Sequence, residues 1–125
     1  MSEKKSFLVL EHELTPEQLR ILRQERAAFL EARLDQLRGV MRNVRGDLLS
    51  SQELPQAYDK LMHFIDQAEK VCERAENGQG DITFLDVFLI RLGNVIDMVD
   101  SLDFSELPFE REQSIRAILE LIEVH

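Results

Sequence analysis

The stretch AAFLEARLDQLRGVMRNVRGDLL, Ala27–Leu49, decides the fold. Its apolar residues Ala27, Leu30, Leu34, Leu37, Met41, Val44 and Leu48 advance in alternating steps of three and four. Side chains at that interval stack on one face of an α-helix and make a heptad seam. Upstream, Thr15 is a good N-cap and Pro16 suits the first helical position, where its missing N–H is not needed. Between Glu17 and Leu49 only Gly39 and Gly46 interrupt the pattern. A continuous helix there has about 33 residues and spans about 50 Å. Such a helix must protrude, bend or pack against another copy of itself.

Downstream, the same period recurs between clear punctuation marks. Ser50 and Glu53 resemble a capping box, and Pro55 restricts Leu54 before it. A second helix, about 55–77, carries Tyr58, Leu61, Ile65, Ala68, Cys72 and Ala75 as its seam, and Asn77-Gly78 ends it. Asp81 or Thr83 caps a third helix, about 84–102. Leu85, Phe88, Leu92, Val95, Val99 and Leu102 make its main stripe, and Phe84, Val87, Leu89, Ile96 and Met98 widen it. A helix apolar over so wide an arc is expected at the centre of a fold. Pro108 opens a fourth helix, about 107–124, built on Ile115, Ile118, Leu119, Leu121, Ile122 and Val124. The expected fold class is all-α, a four-helix bundle-like domain over residues 15–125 with a long first helix. Residues 1–14 are expected to form a short extended N-terminal arm.

Within that arm, Phe7, Leu8, Val9 and Leu10 are four apolar residues in a row, the one stretch where a strand is a candidate. Three roles compete: a ragged first turn, a plug against the third helix, or an arm that pairs with another chain. A lone strand leaves its backbone groups unpaired, which favours the last role.

Composition narrows the function classes. The chain has 125 residues, 44% of them hydrophobic, so it is long enough for one core of its own. A single cysteine, Cys72, excludes an internal disulfide and fits a reducing compartment. No apolar run approaches the ~20 residues of a membrane span, and no secretory leader pattern is visible, so a cytoplasmic location is expected. With no Trp and one Tyr, stacking platforms for single-stranded nucleic acid are not expected.

Charge is lopsided. Residues 15–50 hold seven Arg against five acids, and residues 51–125 hold sixteen acids against six bases, within a net charge of −9. An acidic chain repels nucleic acid and anionic membranes and favours basic partners.

No catalytic, cofactor or metal motif stands out. None of His12, His63 and His125 lies three residues after a Glu, so the paired signature of di-iron bundles is absent. Cys72, on an apolar seam, is expected to be inert. Asp97, Asp100 and Asp103 cluster near the end of the third helix, and Glu69, Glu73 and Glu76 on the second. These acids suit a solvated face, a surface for a basic partner, or a Mg²⁺ site using Glu69, Glu73, Asp97 and Asp100. Arg38, Arg42 and Arg45 share a stripe, expected to pair with carboxylates of the other helices or of a second chain. Ala32, Gly39 and Gly46 recur every seven residues. Glycine inside a helix costs about 1 kcal/mol against alanine, so two on one face signal close backbone approach, or else a kink at Gly39 and a fray at Gly46.

The functional expectation is a non-enzymatic protein–protein interaction protein, homodimeric, of the small acidic regulator or antagonist type. Its expected interface holds Phe7–Leu10, the small-residue face and the arginine stripe, with Glu69, Glu73 and Glu76 facing a partner of basic or apolar surface. A Mg²⁺-dependent hydrolase and a structural or chaperone subunit are the alternatives.

Overall fold

The computed structural model describes residues 14–50, 52 and 54–123. The arm stretch Phe7–Leu10 lies outside the described residues, as do Glu53 and Val124. Four α-helices make up the described chain: α1 Pro16–Ser50, α2 Ala57–Glu76, α3 Ile82–Asp100 and α4 Pro108–Glu123. None is long and apolar enough to cross a membrane.

The helix ends follow from local chemistry. Thr15 and Gln18 form a reciprocal cap: the Gln18 amide donates to Thr15 Oγ1 (3.1 Å), and the Thr15 amide donates to Gln18 Oε1 (2.9 Å). α1 then runs unbroken through Gly39 and Gly46 to Ser50, so the helix does not fray at Gly46. Ser50 is the last residue of α1 rather than the cap of α2. Its hydroxyl turns back to the Asp47 carbonyl (3.1 Å), and α2 starts after Pro55 and Gln56. Between α2 and α3 the chain reverses through Gly78 and Gly80, both with positive φ (79° and 109°), where a Cβ would be strained. The Asp81 carboxylate accepts from the Thr83 amide (3.2 Å) and caps α3, which therefore begins two residues earlier than the apolar pattern indicated.

α1 is the axis of the molecule. Cys72 Sγ donates to the Ala27 carbonyl (3.4 Å) and Arg45 Nε to Tyr58 Oη (3.2 Å), which sets α2 antiparallel to α1. On its other flank, Arg23 Nε donates to the Gly80 carbonyl (2.6 Å) and Arg26 Nε to Asp86 Oδ1 (2.5 Å), so α3 runs parallel to α1. α4 returns antiparallel to α3 and packs against both α3 and α2.

The core joins all four helices. Leu30, Leu37, Leu48, Leu61, Ile65, Leu85, Leu92, Ile115 and Ile118 are essentially inaccessible. Each such side chain stabilises the fold by roughly 1.5–3 kcal/mol relative to exposure. The seam of α1 is thus covered from Ala27 to Leu48 by the chain's own helices, so its length alone calls for no second copy.

The expectation that α3 is central is corrected. α1 holds that place, with α2 and α3 on its two flanks. α3 has α1 on one side and α4 on another, so its widened arc divides: Ile96 is buried, Leu89 and Met98 pack half-buried against the core, and Phe84 and Val87 face outward with Ile90.

Candidate interaction surface

Two grooves of opposite charge lie on different faces of the bundle. The first runs between α3 and α4, has a volume of about 490 Å³, and is lined by Asn94, Asp97, Met98, Ala117, Glu120 and Leu121. Half-buried Met98 and Leu121 and the exposed Ala117 form an apolar strip along it. Asp97 and Glu120 are both exposed beside this apolar strip, so a basic segment with apolar side chains matches it in sign and chemistry.

The second groove lies between α1 and α2, with a volume of about 200 Å³. Arg38, Arg42 and Arg45 line it beside Met41, Met62 and Tyr58. The arginine stripe of the sequence is therefore brought together, and apolar side chains accompany it. As expected, one of these arginines pairs with an acid on another helix: Arg38 bonds Glu69 of α2, and also Asp35 on its own helix (3.2 Å). Arg45 lies 5.9 Å from the centre of the Tyr58 ring while bonding its hydroxyl. Arg42 is exposed and makes no ion pair among the described residues.

The three acids of the α2 trio differ in exposure and pairing. Glu73 and Glu76 are exposed, whereas Glu69 is half-buried and engaged by Arg38. The acids at the end of α3 also part company. The Asp103 carboxylate accepts from the Ser105 amide (2.9 Å) and hydroxyl (2.6 Å), and these bonds hold its pKa below the usual carboxylate value. Among the described residues, no group of three His, Cys, Asp or Glu is placed to hold a metal ion. The Mg²⁺ arrangement of Glu69, Glu73, Asp97 and Asp100 therefore gains no support. His63 is exposed, with a ring nitrogen 3.3 Å from Gln67 Nε2.

Ala32, Gly39 and Gly46 lie on the side of α1 away from the core. A Cβ on Gly46 would meet nothing within 4 Å, and one on Gly39 only Arg42 Nη2 at 3.9 Å. Among the described residues, no backbone atom of another element comes within 4 Å of a Cβ built at Gly39 or Gly46. The close approach expected of glycine occurs at Gly93, where a Cβ would lie 2.8 Å from Arg33 Nη1. Gly93 fell in an apolar arc too broad for its role to stand out.

Sequence reasoning also missed the outward-facing large apolar residues. Leu107 and Phe109, each 69% exposed, flank Pro108 at the start of α4, and Ile90 is 66% exposed on α3. Ile21, Phe29 and Leu49 stand out from α1. They lie off the apolar seams read from the sequence, and the placement of the neighbouring helices leaves them about half or more exposed among the described residues.

Cys72 is buried on the α1–α2 seam. Burial is the main cause that pushes its thiol up to about 11, with Glu76, Glu31 and Glu73 adding to the rise. A thiol so shifted is neutral and a poor nucleophile at physiological pH. Compared with known protein families, curated proteins and solved structures, the chain matches none of them.

Proposed function

We propose that this chain is a non-enzymatic protein–protein interaction protein, a small acidic regulator of the anti-activator, immunity or inhibitor type that binds and occludes a partner. The α3–α4 groove carries this reading. It sets an apolar strip of Met98, Ala117 and Leu121 beside Asp97 and Glu120, in a chain of net charge −9. That combination suits a segment with basic and apolar side chains, steered by charge and held by apolar contact. The exposed Phe84, Val87 and Ile90 extend the apolar area available on α3. Homodimerisation belongs to the same proposal, through the face of α1 that carries Ala32, Gly39 and Gly46.

The test combines partner capture from the native host with two changes in the groove, Asp97→Lys with Glu120→Lys, and separately Ala117→Arg. The expected outcome is slower association for the charge reversal and faster dissociation for the filled groove, with unchanged helicity. Partner binding unaffected by either change sinks the groove as the binding surface. Light scattering at tens of micromolar reports the dimer, and a mass of one chain removes it from the proposal.

A further inference from the structure

The α1–α2 groove offers chemistry that the acidic face does not, and its size limits what enters it. At about 200 Å³ it lies below the roughly 300–1,000 Å³ of sites that enclose small-molecule ligands. It has room for one large side chain. Its floor is Met41 and Ile65, both buried, with half-buried Met62 beside them. Methionine reshapes easily around an inserted apolar group. Around that floor stand Arg38, Arg42 and Arg45. Guanidinium groups in such a ring recognise carboxylates with two parallel hydrogen bonds. Arg38 already holds Glu69 and Asp35, whereas Arg42 and Arg45 have no carboxylate partner among the described residues, Arg45 being set against the neutral Tyr58.

We propose that this groove docks an acidic peptide segment of a partner protein, one large apolar side chain of which enters between Met41, Met62 and Ile65 while flanking carboxylates meet Arg42 and Arg45. The chain then has two docking surfaces of opposite sign, and this one is independent of the α3–α4 groove. Charge complementarity fixes the occupant: in a molecule of net charge −9, the groove gathers three arginines around an apolar floor. The net charge opposes an acidic ligand at a distance. At physiological ionic strength that repulsion is screened beyond about 8 Å, so the arginines at contact decide.

The sign of the salt effect therefore separates the two influences. The probe is a short fluorescein-labelled peptide with a single Phe between runs of glutamate, titrated with full-length protein by anisotropy. Expected are saturable binding that weakens as salt rises, a loss of about tenfold on changing the probe's Phe to Ala, and no binding of the probe with Lys for Glu. Arg42→Glu, an exposed change that leaves the core untouched, weakens binding by about tenfold or more, and Arg45→Glu does the same. Absence of saturable binding overturns the proposal, as does indifference to both arginine changes or binding that strengthens with salt. The chain's own Glu106–Glu110 segment, with Leu107 and Phe109 exposed between acids, is the competing occupant. If Arg42→Glu or Phe109→Ala dissolves self-association in the absence of probe, the groove belongs to a second copy and the foreign partner is excluded. Because the groove changes lie apart from Asp97 and Glu120, failure here leaves the α3–α4 reading standing, and failure there leaves this one.

Discussion

The guanidinium of Arg33 reaches across from α1 to Gly93 on α3, so close that a Cβ at Gly93 would lie 2.8 Å from Nη1. The obstacle is the far end of a long, exposed side chain rather than backbone, and it can swing aside. Gly93→Ala therefore removes the helix penalty of glycine at little steric cost. The expected result is a gain of up to about 1 kcal/mol, seen as a higher thermal midpoint. A loss greater than about 1 kcal/mol would mean that Arg33 is held in place by the α1–α3 contact.

Gly39 and Gly46 separate helix stability from association. With space for a Cβ at both, alanine at either position stabilises an isolated chain by about 1 kcal/mol. If two α1 helices meet there, the same change weakens the dimer while stabilising the monomer. Urea titration and light scattering on Gly46→Ala and Gly46→Leu read these opposite signs. A stabilised protein whose dimer is unchanged removes this face from the interface.

Glu69, Glu73 and Glu76 are expected to respond differently to charge reversal. Glu69→Lys places a cation against Arg38, where an ion pair now stands, and loses about 0.5–1 kcal/mol, modest because both partners are partly solvated. Glu73→Lys and Glu76→Lys fall within about 0.5 kcal/mol of the parent protein. Chemical denaturation of the three single variants checks the order.

Cys72 sets a stability limit at high pH. Its folded-state pKa, about 11, lies above that of an exposed thiol, so the folded chain keeps a proton that the unfolded chain releases. The sign follows: this contribution is intact below about pH 8.5, the ordinary thiol value, and stability falls as pH rises from there through about 11. Cys72→Ala flattens that slope in melts taken across the window. At pH 8 the thiol of the parent protein reacts with a disulfide reagent far more slowly than it does in denaturant. Equal rates in both conditions would show the site to be open.

Helices and core were legible in the sequence because both rest on local information. The steps of three and four from Ala27 to Leu48 specify a helix and name its buried face before any partner is known. The Thr15–Pro16 start and the Asn77–Gly78 stop depend on backbone geometry within a few residues. Boundaries slipped where two signals overlapped. Ser50 had hydroxyl chemistry suited to a cap, but α1 extends one residue past Leu49 to include it, and its hydroxyl went to Asp47.

Which apolar residues would be left in the open was decided only in three dimensions. Phe84, Val87 and Ile90 are as apolar as the residues that fill the core, and their exposure follows from α1 and α4 taking the other sides of α3. The same holds for charge. Arg38, Arg42 and Arg45 could be placed on one stripe from spacing alone, but their separate roles depend on Glu69 and Tyr58, which approach from another helix. Periodicity is a property of one helix, whereas a groove and an ion pair between helices require the relative placement of two. The sequence by itself therefore determined four helices and the seams that α1 and α2 bury. The tertiary structure decided that α1 is the axis, that an acidic groove opens between α3 and α4, and that an arginine-lined one opens between α1 and α2.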